Sequence, residues 1–262
     1  MNLRAHAAAL LLLAASAAPA RAWEPLGYPG STWGNASRDL TGFDGNTTLG
    51  YAQQGVDWFA LPEHVVFDTY VGYSWRLRSA NQQYFDADGP YAGVSFSRGN
   101  LTLGGEYQIE NYSQLSQTTH DYVIYASYFG TRDLAAWTGV PYWGEHRALA
   151  TPLALWTRAE KDFNGIEGLG SMGWIEQGVD WIKLPGGVTF ETFGGFDWML
   201  RSLNTQYYNE YGPTAGVQFK RGAVDLYVEY AVRRYPFLHQ DQNGPQILLT
   251  WYFNWDLVKM VR

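Results

Sequence analysis

Polar and charged side chains that recur at an interval of 123 residues are the residues best suited to do chemistry in this sequence. They are Asp57 and Asp180, Arg78 and Arg201, Asn81 and Asn204, and Glu106 and Glu229. One interpretation is structural, because carboxylates and guanidinium groups confined in a narrow interior must pair to offset the cost of burial. The other is a polar cavity that handles an uncharged, hydroxyl-rich substrate such as a glycan.

No motif of a metal or catalytic site accompanies these residues. The chain has no Cys, which excludes thiol catalysis and disulfides. Its five His residues form neither H-x-x-x-H nor H-E-x-x-H, and no G-x-S-x-G is present. We therefore predict no catalytic residue, no metal and no cofactor, and we favour a non-enzymatic role over that of an outer-membrane barrel enzyme.

The recurrence extends well beyond the polar residues. Aligning Gln54–Tyr107 with Gln177–Tyr230 without a gap gives 29 identities in 54 positions, where about three are expected by chance. Weaker matches, such as Trp33 with Trp156, extend the similarity. The sequence therefore predicts a tandem duplication, with a first unit at residues 23–130, a second at 152–262 and a connecting loop at 131–151.

The first 22 residues have the pattern of a secretory signal peptide. Arg4 is followed by the apolar run Ala7–Ala18 and by the cleavage-site pattern Ala20-Arg21-Ala22. Removing them changes the formal charge from −7 to −9, because two arginines and no acids are lost. Such an acidic chain is a poor partner for nucleic acid.

Each unit is predicted to consist of long β-strands. From Val65 to Leu77 the odd positions form an apolar row, and the even positions carry more polar and small residues. This period of two indicates a strand with two different faces. If the odd row faces lipid, Arg should be costly at Val71 or its equivalent Gly194, whereas Arg at Gly72 or Ser74 should be tolerated or should disturb only the lumen.

Alternating strands of nine to thirteen residues are typical of transmembrane β-barrels, although a secreted or periplasmic β-sandwich that binds carbohydrate also alternates. The signal peptide, the long strands and the closing segment Ile247–Leu257 resemble those of Gram-negative outer-membrane β-barrel proteins. The resemblance implies an all-β, antiparallel, up-and-down barrel of 10 to 12 strands in the outer membrane. It implies a narrow pore, or an export-associated or structural component of the cell envelope. Membrane lipid, an envelope polysaccharide or an export complex are the partners it suggests.

Two expectations concern the inside of this barrel. The alternation places Arg78 and Glu106, and likewise Arg201 and Glu229, on the polar face, so we predict an ion pair within each unit or one shared across the barrel axis. Duplicated aromatic residues provide either stacking surfaces for a substrate or a girdle at the membrane interface. These are Trp58 and Trp181, Trp75 and Trp198, and Tyr84 and Tyr207.

Overall fold

The computed structural model describes residues 25–82, 85–135, 142–143, 146–205, 208–257 and 259. Twelve strands form one closed antiparallel barrel in which neighbours in sequence are neighbours in space. A separate two-stranded ladder, β7 (Tyr142–Trp143) and β8 (His146–Arg147), lies in the connection between the units. Within the described ranges, no helix is long and apolar enough to cross a membrane.

The six barrel strands of each unit have matching lengths. Those of the first unit are β1 (Pro29–Asp39), β2 (Asn46–Leu61), β3 (Val65–Arg78), β4 (Ala87–Arg98), β5 (Leu101–Tyr112) and β6 (Gln117–Asp133). Those of the second are β9 (Pro152–Asp162), β10 (Leu169–Leu184), β11 (Val188–Arg201), β12 (Glu210–Arg221), β13 (Val224–Tyr235) and β14 (Gln240–Asp256).

This architecture confirms the predicted up-and-down barrel and fixes the strand number at twelve. The alternative of a β-sandwich is wrong, because β14 pairs with β1 along its length and leaves no open sheet edge. The predicted signal peptide, residues 1–22, lies outside the described residues.

The two ends of the barrel differ in their connections. The loop end carries the turns at residues 40–45, 79–86, 113–116, 163–168, 202–209 and 236–239. The terminal end carries the first and last of the described residues, the connection at 134–151 and the short turns at 62–64, 99–100, 185–187 and 222–223. The tightest turns use Gly99 (φ +56°) and Gly222 (φ +63°), where a left-handed backbone suits the twist of a two-residue hairpin.

The two faces of the barrel wall follow the predicted alternation. On β3 the odd positions point outward, with Val71 60% and Tyr73 44% exposed, whereas Tyr70 is buried at 4%. Among the described residues, most buried side chains are polar or charged, including Arg78, Glu106, Arg201 and Glu229. The interior of this protein is therefore a polar network, and its apolar surface faces outward.

A matching β-bulge in each unit redirects a tryptophan. The register of β2 with β3 shifts between Asp57 and Phe59, and that of β10 with β11 shifts between Asp180 and Ile182. The extra residue is Trp58 or Trp181, whose ring nitrogen donates to the outward-facing Thr69 or Thr192 at 2.9 Å. A bulge places an extra side chain on one face, here the outer one.

The units also meet at two seams of identical register. Trp33 of β1 lies opposite Tyr252 of β14, and the equivalent Trp156 of β9 lies opposite Phe129 of β6. The barrel consequently has an approximate twofold axis along its lumen, and equivalent residues of the two units lie across that axis from each other.

Candidate functional site in the barrel lumen

Two buried arginines form equivalent ion pairs at the loop end. Arg78 contacts Asp44 at 2.6 Å, and Arg201 contacts Glu167 at 2.8 Å. Asp44 and Glu167 are themselves 123 residues apart, in the turns that follow β1 and β9. Arg78 also reaches Glu210 of the second unit, 3.7 Å away. The loop end thus has both a pair within each unit and a contact across the axis.

Aromatic residues lie directly against these guanidinium groups. The Arg78 guanidinium is 3.5 Å from the centre of the Phe85 ring, and that of Arg201 is 3.8 Å from the Tyr208 ring. Phe85 and Tyr208 belong to loops between strands on opposite sides of the barrel, yet their ring centres are only 6.4 Å apart. Their exposed fractions are 1% and 2%. The two loops therefore meet over the barrel axis and close the lumen at this end.

Asn81 and Asn204 hold those loops in place. Both have left-handed backbones, with φ of 51° and 48°. Their side-chain amides donate to the carbonyl oxygens of Phe43 and Ile166, each at 2.8 Å. In the structure, these two predicted site residues therefore connect the loops at 79–86 and 202–209 to the neighbouring turns at 40–45 and 163–168.

The equivalent carboxylates Asp44 and Glu167 have opposite pKa shifts. Burial raises the pKa of Asp44, and the nearby Glu210 adds to the increase, which Arg78 only partly offsets. Burial also acts to raise the pKa of Glu167, but Arg76 and Arg201 together lower it below the ordinary value. Two guanidinium groups stabilise the charged form of Glu167 more than one stabilises that of Asp44.

Glu106 lies deeper, at the centre of a second network. It accepts hydrogen bonds from Arg158 at 2.8 Å and from the Tyr70 hydroxyl at 2.9 Å. Tyr70 is also 2.8 Å from the hydroxyl of Tyr125. The network joins β3, β5, β6 and β9, so it crosslinks one half of the barrel wall from inside.

The predicted pairing of Arg78 with Glu106, and of Arg201 with Glu229, is wrong. Glu106 lies opposite Gly93, which lies opposite Tyr70, eight residues from Arg78 along β3. The same register separates Glu229 from Arg201. All four side chains are buried on the inner face as the alternation predicts, but strand register places each arginine at the loop end and each glutamate near mid-barrel.

Asp57 and Asp180 occupy the terminal end. Asp180 pairs with Lys220 at 2.6 Å. The backbone of Asp57 bridges to Gly27, and that of Asp180 bridges to Ala150. The eight predicted site residues are therefore distributed along the lumen and do not converge on one point.

A pair of tryptophans narrows the lumen between its ends, and sequence reasoning did not assign it a role. Trp33 and Trp156 stack with ring centres 6.3 Å apart and planes inclined by 25°. Their strands, β1 and β9, are six strands apart in either direction around the barrel, so the rings meet across the lumen. Tyr51 and Trp174 flank them in register on β2 and β10. The match of Trp33 with Trp156 in the duplicated sequence was the available signal, but the pattern of β1 is too irregular to show which face is inward.

On the terminal side of this aromatic constriction the lumen opens to solvent. Phe129 and Tyr252 are equivalent residues in the same inward-facing rows as the two tryptophans. They remain 49% and 45% exposed. The lumen is therefore closed at the loop end, narrowed at the tryptophan pair and open at the terminal end.

The tryptophans chosen from the sequence as stacking surfaces face outward. Trp58 and Trp181 lie toward the terminal end, and Trp75 and Trp198 bond to Thr48 and Ser171 toward the loop end. Their arrangement favours the alternative of an aromatic girdle. Tyr84 and Tyr207 lie outside the described residues.

Solved outer-membrane barrels are among the structures to which the chain is similar. The beta domain of the Bordetella autotransporter BrkA matches with 13% identity and a TM-score of 0.38, over 86% of this chain and 97% of that domain. An outer membrane channel from Pseudomonas putida F1 matches with 12% identity and a TM-score of 0.36, over 92% of this chain and 100% of the channel. A bacterial polysaccharide outer membrane secretin matches with 9% identity and a TM-score of 0.36, over 87% of this chain and 98% of the secretin. No protein-family model matches the chain, and no curated protein sequence does so.

Proposed function

We propose that this protein inserts in the outer membrane of a Gram-negative cell envelope and forms a narrow channel that is closed at its loop end. The outward apolar rows and the charged interior support insertion, because a closed barrel with such a wall leaves no unpaired backbone in lipid. Short turns are typical of the periplasmic side of such barrels, so we place the terminal end in the periplasm.

The contact between Phe85 and Tyr208 carries the proposal of a closed channel. These residues come from opposite sides of the wall and meet on the axis, while the other end of the lumen is open to solvent. A barrel with a purely structural role needs no such asymmetry between its ends. We further propose that an envelope polysaccharide or an export complex is the partner of this barrel, and that the predicted lumen residues contact the substrate.

The experiment is a comparison of single-channel currents in planar bilayers. We expect low conductance from the native protein and a clear increase for the double variant Phe85→Gly with Tyr208→Gly. The matched control is Phe163→Gly with Phe237→Gly, which removes two aromatic rings from turns at the same end. These two side chains are 59% and 55% exposed, so they do not block the lumen. The control should conduct like the native protein.

Folding is checked separately, by the change in gel mobility between heated and unheated samples. If the double variant folds but shows no current, the proposal of a channel is wrong and a structural role for the barrel is favoured. Recovery of the native protein in the soluble periplasmic fraction would contradict the membrane location itself.

A further inference from the structure

We propose that the outer face of the barrel holds two equivalent binding sites for a membrane lipid with a phosphate monoester in its head group, one at each seam between the units. Arg38 and Lys161 bind the phosphate, and an apolar groove beside each of them holds an acyl chain. The proposal rests on the proposed function only in placing this face in the membrane. Its test is a count of bound lipids, which does not depend on conductance.

The first observation is a groove of about 510 Å³ on the outer face near the loop end, where β1 lies between β14 and β2. Ala36 and Thr48 lie side by side at its centre. Leu77 borders one side and Leu249 borders the other, and they are 36% and 40% exposed. Small side chains between larger apolar ones form a depression that an acyl chain can fill.

Two indole rings bound the groove on the side away from the loops. The rings of Trp251 and Trp75 lie over Gly34 and Gly50, their partners in register. An added Cβ at these glycines would come within 2.2 Å and 2.7 Å of the rings. The absence of a side chain therefore lets each ring lie against the sheet. The groove is apolar along this part and polar only at its loop end.

The loop end of the groove carries an arginine without an ion-pair partner. Arg38 lies in register with Asn46, and both line the groove together with Ser79. The Arg38 side chain is exposed, and across the described ranges no Asp or Glu forms an ion pair with it. A basic side chain in a depression at the level of the lipid head groups attracts an anionic head group.

Two hydroxyl groups of the groove have protons to donate. Thr48 Oγ1 accepts a hydrogen bond from the Trp75 indole at 3.2 Å, and Ser79 Oγ accepts one from the backbone N–H of Asn46 at 2.8 Å. Within the described residues neither hydroxyl donates to a protein acceptor, so each O–H is available to a ligand. One guanidinium group and two hydroxyls suit an anion with several acceptor oxygens.

The second seam repeats the cation and its apolar neighbours. Lys161 is the equivalent of Arg38, and like Arg38 it is exposed and forms no ion pair among the described residues. The neighbouring apolar residues are kept in the same register. They are Ala159, Leu200 and Ile124, equivalent to Ala36, Leu77 and Ile247. The side chain differs between the two seams but the positive charge does not, which indicates that the charge is what this position requires.

The two hydroxyl groups are repeated as well. Ser171 Oγ accepts a hydrogen bond from the Trp198 indole at 3.1 Å, and Ser202 Oγ accepts one from the backbone N–H of Leu169 at 2.9 Å. No acceptor among the described residues takes the protons of these hydroxyls, so both are available to a ligand. Two sites with the same donors, related by the approximate twofold axis, predict two bound lipids per barrel.

The chemistry of the donors selects a phosphate monoester on a lipid. A monoester carries about −1.5 to −2 charges at neutral pH and has three strong acceptor oxygens. The diester of a zwitterionic lipid has one negative charge, which its own ammonium group balances, so the cation attracts it less. Exposed ion pairs are weak by themselves, and burial of an acyl chain in the groove adds the remaining affinity. Soluble phosphate, which lacks the chain, should therefore bind poorly.

The test is native mass spectrometry of the purified, folded protein released from detergent micelles. The probe is dioleoyl phosphatidic acid. The comparisons are dioleoyl phosphatidylcholine, which has the same chains and a diester head group, and inorganic phosphate. We expect up to two phosphatidic acid molecules per barrel, and much weaker binding of phosphatidylcholine and of inorganic phosphate at the same concentration.

Substitutions at the two cations locate the sites. Arg38→Gln should reduce the maximum from two lipids to one, and adding Lys161→Gln should weaken the remaining binding by at least about tenfold. Ala36→Trp fills the groove without changing the charge and should also remove one lipid. The matched control is Arg98→Gln with Arg221→Gln, which removes two equivalent exposed cations from the terminal end and should retain both lipids.

Each remaining outcome is informative. Two lipids retained by the folded Arg38→Gln, Lys161→Gln variant, an equal loss in the terminal-end control, or equal binding of phosphatidylcholine would overturn the proposal. Two lipids on a barrel that never conducts would support the sites and reject the channel. A conducting barrel without bound phosphatidic acid would reject the sites and leave the channel.

Discussion

Asp44 and Glu167 are equivalent carboxylates in different electrostatic surroundings, and their variants should differ accordingly. Glu167 contacts both Arg76 and Arg201, so Glu167→Gln leaves two guanidinium groups undercompensated and should cost about 3 kcal/mol at pH 7. Asp44→Asn can keep the hydrogen bond from Tyr235 and should cost less. Unfolding titrations in micelles measure the difference.

The pH dependence of the same variants follows from the direction of their shifts. The pKa of Glu167 is lowered by folding, so its stabilising contribution is complete above about 4.5 and declines as pH falls further. The penalty of Glu167→Gln should therefore shrink in acid. Burial raises the pKa of Asp44, so the charged carboxylate destabilises the folded state at neutral pH. Protonation of Asp44 in acid should remove this destabilisation. Equal penalties that do not change with pH would contradict this assignment.

The loops between long strands depend on two asparagines with left-handed backbones. Asn81→Ala should destabilise the barrel by about 1 to 2 kcal/mol, because alanine adopts this conformation poorly and cannot donate to the Phe43 carbonyl. Asn81→Gly relieves the backbone strain and should cost less. The equivalent variant Asn204→Ala repeats the Asn81→Ala measurement in the second unit and should give a similar loss of stability. Equal costs for alanine and glycine would show that the lost hydrogen bond, which both variants remove, dominates over the backbone conformation.

The outer face of β3 should respond to charge as a lipid-facing surface does. Val71→Arg should cost about 2 to 4 kcal/mol in micelle unfolding titrations. Ser74→Arg, on the inner face, should cost less. Of the two outcomes expected for Arg at Gly72, the structure favours disturbance of the lumen, because even a Cβ there would lie 2.4 Å from the Tyr91 ring. Equal costs at Val71 and Ser74 would mean that both faces are shielded from lipid.

Alternation along the strands was sufficient to predict the barrel and the inner face, but the lumen contacts depend on register. The period of two in β3 and β11 identifies which side chains face inward, and duplication identifies equivalent pairs. Neither determines how far one strand is displaced along its neighbour. That displacement decides that Glu106 meets Arg158 and not Arg78. The missed tryptophan pair has the same origin, because proximity across a lumen is absent from the local pattern of either strand.

At the scale of the whole molecule, the lumen has an uneven distribution of charge. Inward-facing carboxylates of the second unit outnumber its four inward-facing bases, which are Arg158, Arg201, Lys220 and Arg233. These carboxylates include Glu176, Asp180, Glu191, Asp197, Glu210, Asp225 and Glu229. If the opened Phe85→Gly, Tyr208→Gly variant conducts, it should prefer cations, and the preference should weaken at high salt as the charges are screened. Reversal potentials in a potassium chloride gradient measure this, and adding Glu176→Gln should reduce it. Preference for chloride would contradict the charge assignment.

The identical register of the two seams bears on how such a barrel can be assembled. β1 meets β14 in the same alignment in which β9 meets β6, so each six-stranded unit presents two edges that complement those of its copy. A single unit therefore carries the pairing information for a symmetric homodimer that closes on itself. A polypeptide cut within residues 134–151 should accordingly reassociate into a barrel from two separately synthesised halves.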